Sequence, residues 1–256
     1  MYHTLATSQT PALVLYLLDV SASMDRRLDE RTRLQVALDA LREALSAMLF
    51  RSTKGAKIAP RYLVGIFAYS SQVIDVLDGV HPIDRAAPLL DHRLQRIVTQ
   101  QGTETSQAFY YAVQVLKEWL PRLYHAPAPL ICHLTDGEYT GFDPEPLARY
   151  IMQLRVRDGY VLMQNIYLSE QFSKLAPSPQ NWHGIQSNTP LNDPYARKLR
   201  NMSSVLPETY RQYLSEFLGA NVHPDSYMLF PGHTPAFIRF AFQMSAATGV
   251  QAALTQ

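Results

Sequence analysis

The chain has 256 residues, 47% of them hydrophobic, with 23 Lys and Arg against 22 Asp and Glu. That length and apolar content suit one globular α/β domain spanning residues 1–256 and exclude a disordered chain. A net charge of +1 supplies no field for nucleic acid or an anionic membrane surface, and no stretch approaches the ~20 apolar residues of a membrane span.

Met1 to Pro11 lack the basic start and apolar run of a signal peptide. Leu13 to Leu18 is apolar at both parities and stops abruptly at Asp19, the pattern of a central parallel strand covered on both faces. Leu34, Leu38, Leu41, Leu45 and Met48 recur three and four residues apart, which predicts an amphipathic helix starting near Asp29 or Thr32. Lys54 to Lys57 breaks that pattern. A second strand is expected over Tyr62 to Tyr69 and a short third over Gln72 to Leu77, the pair suggesting one antiparallel edge. Helices are expected over Pro82 to Val98 and Ser106 to Leu120, the latter ended by Pro121.

Pro129 to Thr135 is another apolar strand that stops at an acid, Asp136. It contains the single cysteine, Cys132, read as a core thiol, and His133, read as a core histidine. One cysteine forms no internal disulfide, so a reducing, cytoplasmic setting is expected. Asp143-Pro144-Glu145 opens a helix expected to run to about Arg157, and Tyr160 to Leu168 alternates as a strand. Ser169 to Asn192 carries no periodicity and is expected to be a long surface loop, disordered or partner-facing, with Trp182 within it. Asp193 to Asn201, Pro207 to Leu218 and Thr234 to Ala247 are helical by pattern, with a short strand at Ser226 to Phe230. The alternation predicts a doubly wound α/β three-layer sandwich, with a mostly parallel central sheet and a helical C-terminal extension.

Three polar segments lie at predicted sheet–helix junctions: Asp19-Val20-Ser21-Ala22-Ser23, Gly102-Thr103-Glu104-Thr105, and Thr135-Asp136-Gly137-Glu138. The carboxyl ends of strands in an open parallel sheet share one crevice, so segments distant in sequence converge there. Asp19, Ser21, Ser23, Thr103 and Asp136 offer hard oxygen donors and no His or Cys, which favours Mg²⁺, Mn²⁺ or Ca²⁺ over zinc or copper.

Taken together, Asp19-x-Ser21-x-Ser23 followed by Met24, Thr103 in Gly-Thr-x-Thr, and Asp136 in Leu-Thr-Asp-Gly-Glu resemble the metal-ion-dependent adhesion site of von Willebrand factor A domains. The resemblance covers about residues 11 to 170 and follows the tail only by element order. It implies a cytoplasmic, non-enzymatic interaction module of the bacterial or archaeal intracellular type. In such a module Ser21, Ser23 and Thr103 bind the ion directly, while Asp19 and Asp136 act largely through bound water. A cation held mostly by neutral hydroxyls keeps an open position for an Asp or Glu of a partner protein. By the same resemblance the partner belongs to an AAA+ ATPase or a kinase or phosphatase system. Ala22 departs from the family's usual glycine. Two other readings stay open: a phosphotransferase using Asp19 as nucleophile, although Ser21 stands where such enzymes carry a second acid, and a scaffold with a vestigial metal site.

Overall fold

The computed structural model describes residues 1–250. The first strand, β1 (Ala12–Asp19), is buried at every position, as its two-sided apolar pattern requires. A short hairpin of β2 (Arg27–Leu28) and β3 (Arg31–Thr32) leads into α1 (Arg33–Ser52). Thr32 caps that helix: its hydroxyl accepts from the Gln35 amide while the Gln35 side chain accepts from the Thr32 amide. A second hairpin, β4 (Thr53–Lys54) and β5 (Lys57–Ile58), turns the chain into β6 (Tyr62–Tyr69).

Next come β7 (Val73–Asp75), β8 (His81–Pro82), α2 (Ile83–Arg93), α3 (Thr105–Trp119) and β9 (Leu130–Thr135). The remainder is α4 (Glu145–Ile151), β10 (Leu162–Tyr167), α5 (Pro194–Asn201), α6 (Glu208–Leu218), β11 (Leu229–Pro231) and α7 (Pro235–Ser245). Strand order is β11-β10-β9-β1-β6-β7, with β8 also on β6. The four pairings that join β11, β10, β9, β1 and β6 are parallel, and in this sheet only β7 and β8 run antiparallel, both against β6.

Period-two alternation divides the core between the faces. Val14, Tyr16 and Leu18 of β1 pack with α1, α2 and α7, whereas Leu13, Leu15 and Leu17 pack with α3, α4 and α5. The result is a three-layer α/β sandwich. From β1 the chain goes outward to β6 on one side and later returns to β9 on the other. The order therefore reverses between β1 and β9, and a crevice opens at their carboxyl ends. Asp19 and Asp136 stand at those two ends.

Two expectations need correction. The helix at Glu145 stops at Ile151 rather than near Arg157. The following residues fold back on themselves, Val156 donating to Gly159 and Arg157 to Tyr124, and the Asp158 carboxylate accepts from the amides of His3, Thr4 and Ala128. The segment 169–192 is not a loose surface loop. It holds two short 3-10 turns, and Phe172, Ile185 and Trp182 are buried in it; the indole lies 4.8 Å from the Phe230 ring and 5.8 Å from that of Phe240.

Candidate metal centre

Asp19 ends β1 fully buried. Its Oδ1 accepts from the Ser21 amide at 2.8 Å and its Oδ2 from the Thr135 hydroxyl at 2.8 Å, so the carboxylate is clamped between the ends of β1 and β9. Ser21 then breaks into extended backbone before a 3-10 turn at Ala22–Asp25, and this brings the Ser21 and Ser23 hydroxyl oxygens to 2.9 Å of each other. Met24 anchors the turn in the core. Ala22 starts the turn exposed and outside the positive-φ region, so glycine is not needed there and the departure from the family pattern removes nothing.

The segment bearing Thr103 is laid against this loop. Gln100 bridges to Ser21, its amide donating to the Val20 carbonyl at 2.8 Å, and the Glu104 amide donates to the Ser70 carbonyl just past β6. Gly102, at φ +84°, makes the turn that delivers Thr103, and Thr103 is buried. The loop after β9 is tied to the same place. The Thr140 amide donates to the Thr103 carbonyl at 2.9 Å, and the Thr103 amide donates to the Thr140 hydroxyl at 3.2 Å. Glu104 receives the Thr140 hydroxyl as well.

Asp136 is buried at the start of that loop, held by Gly137 at φ +90°, whose amide donates to the Thr135 hydroxyl. Asp136 Oδ1 is buried with no hydrogen-bond partner. Its Oδ2 lies 3.5 Å from a guanidinium nitrogen of Arg33, the first residue of α1, which likewise has no hydrogen-bond partner at that nitrogen. Burial, reinforced by the nearby charge of Asp136, pushes the Asp19 carboxyl up to about 6, against the lowering effect of the Ser21 and Thr135 hydrogen bonds. Two neighbouring carboxylates, one with an orphaned oxygen, and a pair of hydroxyls form an all-oxygen donor set, whose chemistry suits Mg²⁺, Mn²⁺ or Ca²⁺ better than zinc or copper. No three His, Cys, Asp or Glu side chains cluster for a metal among the described residues, so the hydroxyls are essential to such a site.

Beneath the crevice, Tyr69 and His133 share a 2.6 Å hydrogen bond, and His133 Nδ1 lies 2.7 Å from Asn165 Oδ1. His133 is thus a satisfied core histidine, and burial pushes the Cys132 thiol up, as expected of an inert core thiol. Of the flanking residues, Thr105 is buried in the first turn of α3, Glu138 is exposed, and exposed Asp25 accepts from the Thr99 hydroxyl at 2.7 Å. Arg33, Gln100, Thr135 and Thr140 are contributors that motif reading does not single out. Thr135 carries a faint signal, a hydroxyl directly before the acid at a strand end; the others carry none.

Residues 14–138 match the family model of the von Willebrand factor type A domain. Over that stretch, just under half of the chain, the sequence is similar to the von Willebrand factor type A family. Its match ends at the Asp136 turn and takes in all three polar segments. Members of this family are typically adhesion and protein-interaction modules. No curated protein matches the sequence. Among solved structures, PilB minor pilin from Streptococcus sanguinis is 9% identical with a TM-score of 0.54, the alignment covering 91% of this chain and 60% of that one. Proximal thread matrix protein 1 from the mussel byssus is 10% identical with a TM-score of 0.51, covering 95% and 47%. BatB from Bacteroides thetaiotaomicron is 16% identical with a TM-score of 0.46, covering 71% and 74%. At these identities the likeness concerns the fold, and this chain spans less than two thirds of the first two relatives.

Proposed function

We propose that the chain is a metal-dependent protein-interaction module whose Ser21, Ser23 and Thr103, with Asp19 and Asp136, hold one Mg²⁺, and that the ion takes an Asp or Glu of a partner protein. The observation that carries this reading is the pairing of the Ser21 and Ser23 hydroxyls next to Asp19, together with a buried, unsatisfied oxygen on Asp136, whose charge acts on Asp19. Leaving such an oxygen unpaired costs about 1–3 kcal/mol or more for a charged group, which a cation offsets. The bound ion supplies a Lewis-acidic anchor for a carboxylate. The protein's own part is to hold the donors in place: Thr135 and the Ser21 amide orient Asp19, and Thr140 locks the Thr103 segment to the Asp136 loop.

The phosphotransferase reading loses support from the same geometry. Asp19 is fully buried and each of its oxygens already accepts a hydrogen bond, a poor disposition for in-line attack on a phosphoester. Calorimetric titration with Mg²⁺ and Mn²⁺ tests the proposal. Wild type is expected to give metal-dependent heat and a raised melting temperature, and Ser21→Ala to lose both. Absence of either signal in wild type would favour a scaffold with a vestigial site. A pull-down in Mg²⁺ and in EDTA then identifies partners as those lost on chelation and on Asp136→Ala, with an AAA+ ATPase or a kinase or phosphatase component the class proposed.

A further inference from the structure

Arg33 sits where helix energetics alone argue against it. It is the first residue of α1, at the positive end of the helix dipole, where a cation is disfavoured and an acid is the usual occupant. Its side chain is only 12% exposed, Nη1 is buried without a hydrogen-bond partner, and its one carboxylate neighbour is Asp136 at 3.5 Å, whose side chain is 5% exposed. Arg31 and Arg42 by contrast are well exposed and pair with Asp39. Among the described residues no other basic side chain forms an ion pair with Asp19 or Asp136.

We infer that Arg33 tunes the charge of the metal centre: it weakens the hold on the cation and makes the loaded site one charge more positive than its carboxylates and ion alone would, so that the site prefers an anionic partner group. This rests on the metal-dependent reading proposed above. With both aspartates ionised, a divalent ion alone would bring the centre to neutrality, and a neutral centre has little long-range pull on a carboxylate. The buried guanidinium adds one positive charge close by, in a setting where solvent screens it poorly. Its cost falls on the metal, which must bind beside a fixed cation and share Asp136 with it. Its gain falls on the partner's acid. Of the other acids on this rim, exposed Glu138 and Asp25 are screened by water, while half-buried Glu104, which accepts from the Thr140 hydroxyl, offsets part of the charge that Arg33 adds.

Opposite changes at the two ligands are the signature to measure. Mn²⁺ binding is followed by calorimetry, and acetate binding to the Mn²⁺-loaded protein by water-proton relaxation, in wild type, Arg33→Gln, Arg33→Met and Arg33→Lys. The Gln and Met variants are expected to bind Mn²⁺ about tenfold more tightly and acetate several-fold more weakly, and Lys to stay near wild type in both. Melting in EDTA identifies any variant that fails to fold, and Gln and Met stand in for one another if one does. Unchanged or weaker Mn²⁺ binding in folded Gln and Met variants would overturn the inference while leaving the metal site standing, because it would make Arg33 a mere prop for Asp136. No Mn²⁺ heat in wild type or in any variant would instead bring down the metal site and the role of Arg33 with it.

Discussion

Gly137 has no room for a side chain. At φ +90° it lies in the left-handed region, and a Cβ there would stand 2.6 Å from the Tyr167 ring and 2.9 Å from Tyr195. The ring cannot easily give way, because the Tyr167 hydroxyl donates to buried Asp193, which also caps α5 by accepting from the Tyr195 and Ala196 amides. Gly137→Ala is therefore expected to lower stability by about 1–3 kcal/mol, read by urea unfolding in EDTA so that metal loss does not contribute. A change under about 0.5 kcal/mol would mean that the Asp136 turn is softer than its contacts imply. At this scale the polar segments that carry Asp19, Ser21, Ser23, Thr103 and Asp136 were legible in the sequence because each follows or precedes an abrupt polar break beside an apolar segment. Arg33 was not. It closes a run of charges from Asp25 to Arg33, and nothing in the order of residues says that Arg33 turns inward while Arg31 turns out.

Secondary-structure elements declared themselves wherever burial is periodic. Tyr62–Tyr69 is a strand over the span its apolar run predicts, and α1 begins at the Thr32 cap. The 169–192 segment resisted because its buried residues, Phe172, Ala176, Trp182 and Ile185, straddle Pro177 and Pro179, which forbid a regular helix; two 3-10 turns and a bridge at Ile185 hold the segment in place instead. Packing of Trp182 against Phe230 and Phe240 could not be read from neighbours so distant along the chain. The segment therefore contributes to both core layers, Ala176 and Trp182 on the α7 face and Phe172 and Ile185 on the other. Trp182→Ala is expected to cost about 3–5 kcal/mol, the range for removing a large buried aromatic. Thermal or denaturant unfolding checks this. An exposed docking tryptophan would instead leave stability unchanged, and that result would return the segment to the surface.

Over the whole molecule, the apolar runs disclosed a mostly parallel sheet but not its order. Only the pairing of β1 with both β6 and β9 puts Asp19 beside Asp136. The same order lines up a polar chain across three adjacent or nearby strands: Tyr69 on β6, His133 on β9 and Asn165 on β10, with Asn165 donating on to the Met202 carbonyl and the Ser203 hydroxyl near α5. Burial drives the His133 pKa down from 6.5 to about 4, despite the opposing hydrogen bond of Asn165. The folded state thus resists a proton that the unfolded chain accepts. Between pH 6.5 and 4 the unfolded state binds more protons, so stability falls as pH drops through that window and levels off below it. The loss at pH 4 is on the order of 3 kcal/mol. Asp19 works against this in the metal-free protein: its raised pKa makes the folded state take up a proton early, and that raises stability as pH falls below about 6. The two slopes separate in a comparison of wild type with His133→Gln, both in EDTA, by urea unfolding from pH 7.5 to 4. Asp19 acts equally in both proteins, so their difference isolates the imidazole. Wild type should lose stability relative to the variant as pH falls. A difference that stays constant across the window would show that folding leaves the imidazole's pKa unshifted.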